Sequence, residues 1–162
     1  IVVANNRGYA IRFPESKVRA MGRNAAGVKA MTLKEDTNII GFITIKSDES
    51  EKTILVLSEK GMGKRSALED YRVTNRGGKG VKTMQITEKT GNLIAIKTVT
   101  DYDDLIITTK NGVIIRTPVN SIRVMGRATQ GVKIINLDSK DKIADISVIF
   151  GNKEDKENNE EE

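Results

Sequence analysis

Short apolar runs separated by glycine-rich or charged turns occupy most of this chain. Ile1–Ala4 is apolar and β-branched, and Tyr9–Phe13 alternates apolar with small or charged residues, so together they predict a hairpin around residues 5–8. Val28–Leu33 and Ile39–Ile45 are two further β-rich runs. The first 52 residues or so therefore predict four short strands, which is the size of one propeller blade.

The same order of strands recurs twice in the remaining sequence. The second repeat predicts strands at Thr53–Leu57, Met62–Ser66, Val81–Thr87 and Leu93–Thr98. The third repeat predicts them at Leu105–Thr109, Val113–Thr117, Val132–Leu137 and Ile143–Ile149. Helical periodicity is confined to one doubtful stretch, Ser66–Tyr71. The pattern predicts an all-β, propeller-like array of three four-stranded blades, and since closed propellers usually have four or more blades, the array is expected to belong to a larger ring.

Identical residues recur at fixed offsets along the three repeats. The tripeptide Gly-Val-Lys begins at Gly27, Gly80 and Gly131, which are offset by 53 and then by 51 residues. The same offsets align three arginine columns and one lysine column, each filled in all three repeats. The first arginine column is Arg12, Arg65 and Arg116, the second is Arg19, Arg72 and Arg123, the third is Arg23, Arg76 and Arg127, and the lysine column is Lys29, Lys82 and Lys133. The chain is therefore a repeat protein with units of 51–53 residues.

The distribution of charge divides the chain into a body and a tail. The formal net charge is +5, but residues 151–162 contain six acids and two lysines, so residues 1–150 carry +9. We predict one domain at residues 1–150 and an acidic, flexible tail at residues 151–162, and the basic body indicates a polyanionic partner. No membrane span or signal peptide is predicted, and the absence of cysteine fits a reducing, intracellular compartment.

The arginine columns indicate which polyanion the body binds. Arginine fills all nine places, and its planar fork engages phosphate with directed hydrogen bonds, whereas solubility alone would accept lysine or glutamate. The chain has no tryptophan and is only 4% aromatic, whereas single-strand binders usually stack bases on aromatic side chains. Asparagine and glutamine, which read base edges, do not recur by column. The columns therefore predict sequence-nonspecific binding and bending of double-stranded DNA.

The stretch Arg72–Lys82 is the densest basic segment, with four cations and three glycines in eleven residues. Glycines allow positive φ and a close backbone approach, so that successive N–H groups can form an anion-binding concavity. Lys79, which lies between two of these glycines, is therefore added to the predicted DNA-binding residues.

Other candidate chemistry is better explained by structure. Tyr71 shares its column with Val18 and Ile122, which indicates an apolar packing position instead of a nucleophile. Three aspartates that could form a metal cluster lie between two predicted strands, where aspartate is a common turn former: Asp101, Asp103 and Asp104. No nucleophile, base and orienting group come together, so neither a catalytic residue nor a metal site is predicted.

These residues resemble the repeats of the C-terminal domain of the bacterial DNA gyrase A subunit. The resemblance covers residues 1–150 and is carried by Gly8–Phe13 and Gly61–Ser66 and by the loop segments Val18–Arg23 and Ile122–Arg127. It implies a β-pinwheel, a six-bladed propeller-like disc whose blades exchange strands with their neighbours and which wraps DNA around a basic rim. This chain would then supply about the last three blades.

The resemblance also implies a box-like loop in this chain. The gyrase box of the family reads Gln-Arg-Arg-Gly-Gly-Lys-Gly and lies in the first blade. The segment Thr74–Gly80 departs from it at the first two positions and lies in the second repeat. We therefore interpret it as a box-like loop of a later blade, formed by Arg76, Gly77, Gly78, Lys79 and Gly80.

By the same resemblance, the chain would support negative supercoiling by an ATP-dependent type II DNA topoisomerase of the bacterial cytoplasm and nucleoid. Its partners would be double-stranded DNA, the remainder of gyrase A and gyrase B, in a heterotetramer. ATP and Mg²⁺ would act in the whole enzyme, with no cofactor in this fragment. The alternatives are the C-terminal domain of the corresponding subunit of topoisomerase IV, a propeller that binds other proteins and, more remotely, an independent enzyme.

Overall fold

The computed structural model describes residues 1–151, and the remainder of the predicted acidic tail lies outside the described residues. The strands are β1 (Val2–Asn5), β2 (Tyr9–Arg12), β3 (Ile39–Ile43), β4 (Thr53–Ser58), β5 (Met62–Ala67), β6 (Val81–Lys82), β7 (Leu93–Val99), β8 (Asp104–Thr109), β9 (Ile114–Pro118), β10 (Val132–Lys133) and β11 (Ile143–Ile149). Three 3-10 turns accompany them, at Glu15–Lys17, Leu68–Asp70 and Val119–Ser121. Within residues 1–151 no helix has the length and apolar character needed to cross a membrane.

The strands form three antiparallel sheets, which we name blades 1, 2 and 3. Their strand orders are β3-β1-β2-β6, β10-β5-β4-β7 and β11-β8-β9. The fourth strand of blade 1 comes from the second repeat, because Val81 and Lys82 of β6 pair with Ala10 and Tyr9 of β2. In the same way β10 of the third repeat pairs with β5 in blade 2. The all-β blades and the strand exchange that the resemblance implied are therefore confirmed.

Strand exchange also corrects the predicted third strand of each repeat. In the second and third repeats this strand is only two residues long, Val81–Lys82 and Val132–Lys133, and the predicted strand at Val28–Leu33 is absent. Its counterparts pair with the preceding repeat, and the first repeat has no preceding repeat in this chain. Residues 30 and 32 bond instead to the box-like loop, through Gly77 N–H to the Ala30 carbonyl and Thr32 N–H to the Gly78 carbonyl.

Apolar side chains from neighbouring blades fill two joints. Alternate residues of β4 point to opposite faces, so that Ile54 and Val56 enter the joint between blades 1 and 2 and Leu55 and Leu57 enter the joint between blades 2 and 3. All four side chains are fully buried. Burial on both faces explains why β4 is a continuous apolar run instead of an alternating one.

The outer face of blade 1 carries a smaller cluster, formed by Val3, Ile11, Phe13 and Met31. Phe42 lies opposite Val3 in the sheet and remains 69% exposed. On blade 3, β9 is an edge strand in the described part of the chain, and Ile114 at its start is 68% exposed. Both ends of the array therefore present apolar side chains, whereas the joints between them are closed.

The glycine of the Gly-Val-Lys tripeptide has a different environment in each repeat. All three copies have a left-handed backbone, with φ of +84° at Gly27, +78° at Gly80 and +83° at Gly131. A Cβ at Gly80 would lie 2.4 Å from the Ala10 carbonyl oxygen, and one at Gly131 would lie 2.7 Å from the Gly63 carbonyl oxygen. A Cβ at Gly27 would meet no atom within 4 Å. Gly80 and Gly131 are therefore required for the close approach of an exchanged strand, whereas Gly27 is required only for its positive φ.

We predict that Gly80→Ala destabilises the chain by about 3 kcal/mol, because it adds a clash with the neighbouring blade to the backbone strain. Gly27→Ala should cost only the left-handed strain, about 1 kcal/mol. Urea unfolding of both variants and of the wild type measures the difference. Equal losses in the two variants would contradict this account of the exchanged strand.

Candidate nucleic-acid interface

Two members of the first arginine column, Arg12 and Arg65, link their blades to the repeat that follows. Arg12 Nη1 donates to the carbonyl oxygens of Leu68 and Tyr71, each at 3.0 Å. One repeat later, Arg65 Nε donates to the Ile122 carbonyl at 2.8 Å, and its Nη1 contacts Asp101 at 2.5 Å. Both arginines therefore bind the carbonyl of the residue that follows a 3-10 turn in the next repeat, Tyr71 or Ile122.

The members of this column differ sharply in exposure. Arg65 is 5% exposed, and its burial in the joint corrects the expectation that it contacts DNA. Arg12 is half-buried and also lines a cavity. Arg116 has a 63% exposed side chain and pairs with Asp104, with Nη2 2.7 Å from the carboxylate. Of the first column, Arg116 thus has the most accessible guanidinium.

Two members of the third arginine column, Arg76 and Arg127, tie their loops back to the repeat before them. Arg76 donates from Nε to the Lys17 carbonyl and from Nη1 to the Lys29 carbonyl, both at 2.9 Å. Arg127 repeats this arrangement one blade further on, to the carbonyls of Asp70 at 2.9 Å and Lys82 at 2.7 Å. Among residues 1–151 the Nη2 atoms of both arginines make no hydrogen bond, so each guanidinium retains donors for a ligand. These bonds also place the arginine beside the lysine column.

The remaining predicted cations are exposed to solvent. Their side chains make no hydrogen bond or ion pair within the described range 1–151, and they are Arg19, Arg23, Lys29, Arg72, Lys79, Lys82, Arg123 and Lys133. The backbone of the second arginine column runs beside the first, since Arg65 N–H bonds to the Arg123 carbonyl at 3.2 Å. An equivalent parallel bridge joins Arg12 and Val73. The columns of consecutive repeats are therefore brought together at the blade joints.

The box-like loop lies over the joint between blades 1 and 2. It borders a cavity of about 320 Å³ that is also lined by Arg12 and Arg72. The Gly77 N–H is used in a bond to Ala30, so this glycine does not contribute a free donor as the sequence suggested. Gly78 and Lys79 line the cavity, and no partner for either N–H occurs among residues 1–151. The N–H groups of Gly78 and Lys79 are thus available as donors, beside the cationic side chains of Arg12, Arg72 and Lys79.

One residue that the sequence reasoning missed is Lys64. It is fully buried, and its Nζ donates to the carbonyl oxygens of Gly126, at 2.7 Å, and Arg127. Burial lowers the pKa of Lys64 to about 8, with Asp70 acting to raise it and Arg127 to lower it further. The repeat alignment indicated a buried position for this lysine, because the other two repeats have isoleucine there, Ile11 and Ile115.

The other candidate residues have structural roles. Tyr71 is fully buried, which confirms its predicted packing position, and its hydroxyl lies 2.5 Å from the Thr83 hydroxyl. Asp103 stabilises the turn between β7 and β8, because one carboxylate oxygen accepts from Thr100 N–H at 2.7 Å and the other from Gly151 N–H at 3.1 Å. Asp101 and Asp104 pair with arginines of the first column. In the described residues no group of three His, Cys, Asp or Glu side chains could hold a metal.

Three strand-exchanged antiparallel blades with cations gathered at their joints define a propeller-like repeat protein with a surface suited to a polyanion. The sequence profile described as DNA gyrase C-terminal domain, beta-propeller, matches residues 1–46, 52–100 and 103–149. The chain therefore belongs to this family.

Individual relatives agree with the family assignment. The chain is 43% identical over 162 residues to the DNA gyrase A subunit of Staphylococcus aureus strain NCTC 8325, and 44% identical over 163 residues to that of strain MRSA252. Each comparison covers 100% of this chain but only 18% of the relative.

Solved structures show the same architecture. A gyrase A C-terminal domain superposes with a TM-score of 0.80 at 25% identity, covering 92% of this chain and 50% of that one. The C-terminal domain of a DNA topoisomerase IV superposes with a TM-score of 0.84 at 26% identity, covering 91% and 46%. The chain therefore has the fold of about half of such a domain.

The buried Lys64 predicts a pH dependence of stability. The unfolded chain keeps this proton up to the ordinary pKa of 10.5, whereas the folded chain releases it near pH 8. Between these values the unfolded state binds more protons, so the free energy of unfolding should rise with pH, by about 2 kcal/mol from pH 8 to pH 10. Denaturant unfolding at several pH values should show that the free energy of unfolding rises more steeply with pH in the wild type than in Lys64→Met. The same pH dependence of the unfolding free energy in both proteins would contradict the lowered pKa of Lys64.

Proposed function

We propose that the exposed cations of the arginine and lysine columns bind the phosphate backbone of double-stranded DNA, without preference for sequence, and bend the duplex across the blades. The observation that carries the proposal is that Arg72 and Arg123 are exposed without a partner among residues 1–151 and lie next to the parallel bridges at the two blade joints. Members of one column are held in equivalent positions, as in the matching bonds of Arg76 and Arg127. A regular series of positive sites suits a regular series of phosphates.

Family membership supports this proposal and extends it. The curated relatives carry the name of the DNA gyrase A subunit, and we propose that the chain acts as part of the DNA-wrapping domain of such a protein. In that setting it would support negative supercoiling in the bacterial cytoplasm, together with the rest of gyrase A, gyrase B, ATP and Mg²⁺. The DNA-cleaving and ATP-hydrolysing centres would belong to other parts of the assembly.

Topoisomerase IV remains the second candidate, because its C-terminal domain superposes as well as that of gyrase. Sequence identity does not separate the two solved domains, at 25% for gyrase and 26% for topoisomerase IV. The family model and the relatives that are 43–44% identical over the full length of this chain carry the gyrase name. We therefore favour gyrase. A propeller that binds proteins would show neither the salt dependence nor the bending described next.

The salt dependence of DNA binding tests the phosphate contacts. If roughly four to six of the exposed cations neutralise phosphates, log K should fall against log[salt] with a slope of about −4 to −5. Arg72→Ala and Arg123→Ala should each flatten the slope by about one unit and weaken binding to unrelated duplexes equally. Fluorescence anisotropy with two duplexes of different sequence measures both effects.

Lys89→Ala is the matched control, because it removes one exposed positive charge that lies outside all four columns. Its slope should stay close to that of the wild type. A variant that loses affinity for one duplex only, or a control that flattens the slope as much as Arg72→Ala, would contradict the proposed phosphate contacts.

Bending is a separate prediction of the same arrangement. We expect a duplex that contacts the cations of two successive joints to curve across the blades, so binding should bend a site of 20–30 bp at an elastic cost of order 1–6 kcal/mol. Energy transfer between dyes at the two duplex ends should therefore increase when the chain binds. An unchanged transfer efficiency at saturation would contradict bending while leaving the phosphate contacts intact.

A further inference from the structure

Three consecutive residues of β5 hold the basic loop of the third repeat. Lys64 Nζ donates to the carbonyls of Gly126 and Arg127, and Ser66 Oγ donates to the Met125 carbonyl at 2.9 Å. Between them, Arg65 bonds to the loop through its own backbone, accepting from Met125 N–H at 2.9 Å. The loop backbone is therefore fixed at successive positions immediately before and at Arg127.

The equivalent joint between blades 1 and 2 lacks both side-chain donors. The repeat offsets align Lys64 with Ile11 and Ser66 with Phe13, neither of which can donate a side-chain hydrogen bond. Ile11 instead lines the cavity of about 320 Å³ beneath the box-like loop, together with Asn75 and Gly78. The two loops thus share a sequence pattern but are held by different groups, since Thr32 donates from its N–H to the Gly78 carbonyl and from Oγ1 to the Gly77 carbonyl at 2.6 Å.

Burying an ammonium group is costly unless its hydrogen bonds are satisfied, and Lys64 is fully buried with two carbonyl acceptors. Removing the side chain would leave these carbonyls without that donor. The charged groups that face Lys64 are Asp70, from the 3-10 turn after β5, and Arg127, from the loop itself. Neither bonds to the ammonium through its side chain, so the backbone carbonyls of the loop are its main partners.

We propose that Lys64 is a positioning residue for DNA binding, which fixes the loop of residues 123–131 so that Arg123 and Arg127 meet phosphates without further ordering. The box-like loop above Ile11 has no such ammonium and is held by Ala30 and Thr32 instead. This inference rests on the proposed DNA binding for its affinity effect but not for its effect on the loop. A preordered loop binds more tightly because less conformational entropy is lost on binding.

The test compares Lys64→Met with Arg123→Ala in the full chain. Lys64→Met should weaken DNA binding about tenfold without changing the salt slope, because its ammonium touches no phosphate. Arg123→Ala should weaken binding and flatten the slope by about one unit. A flattened slope in Lys64→Met would overturn the proposal in favour of a direct contact, and unchanged affinity in the folded variant would overturn it as well.

Hydrogen exchange of the free protein provides a readout that does not depend on DNA. Amides of residues 126–131 should exchange faster in Lys64→Met than in the wild type, and the reciprocal Ile11→Lys should slow exchange in residues 75–80. If Lys64→Met fails to fold, Ser66→Ala replaces it, because loss of the bond to Met125 should accelerate exchange in the same loop. Unchanged exchange in the folded variants would overturn the positioning role. If the wild type bound no DNA but residues 126–131 still exchanged faster in Lys64→Met, only the proposed DNA binding would be contradicted.

The pH profile separates positioning by the charged ammonium from simple space filling. DNA affinity of the wild type should fall more steeply between pH 7 and pH 9 than that of Lys64→Met, because Lys64 loses its proton near pH 8. The Ile1 amine, whose pKa burial lowers from 8.0, titrates in both proteins and cancels in the comparison. Identical profiles would overturn the role of the charge.

Discussion

The pairing of a short strand from one repeat with the sheet of the repeat before it is the interaction on which the rest of this structure depends. Two residues of β6 complete blade 1 and two residues of β10 complete blade 2. A three-stranded antiparallel sheet gains an edge partner, and in the same step the basic loop that precedes the exchanged strand is fixed at the joint. Because the loop is held by pairing at its C-terminal end, the positions of its cations follow from the fold.

Arginine serves two purposes in this arrangement because its guanidinium has several donors in a fixed plane. In the first column Arg65 directs its donors inward, onto a backbone carbonyl and a carboxylate. In the third column Arg76 uses Nε and Nη1 on carbonyls and keeps Nη2. In the second column Arg72 is exposed without a partner in residues 1–151. Lysine would not reproduce the bonds of Arg76 and Arg127, since its compact ammonium lacks the separate Nε and Nη donors of the planar guanidinium.

The repeats are least alike in the groups that hold their basic loops. Ile11 and Lys64 occupy one column, yet the first leaves a cavity under the box-like loop and the second fills its joint with a hydrogen-bonded ammonium. Ile11 is apolar, so its buried side chain needs no hydrogen-bond partner. Burial of Lys64 lowers the pKa of its ammonium group. Differences of this kind within a repeat alignment are informative about function even when the shared residues are not.

The sequence by itself determined the class of fold, the number of repeats and the packing positions, because alternating apolar residues and left-handed glycines are local properties. It placed Tyr71 in the core and the arginines on recurring positions for the same reason. Only the tertiary structure decided which repeat each third strand joins, why Val28–Leu33 forms no strand, and that Arg65 is buried while Arg72 is exposed. These outcomes depend on partners about 50 residues away, and one strand pattern accepts a partner in its own repeat or in the one before it.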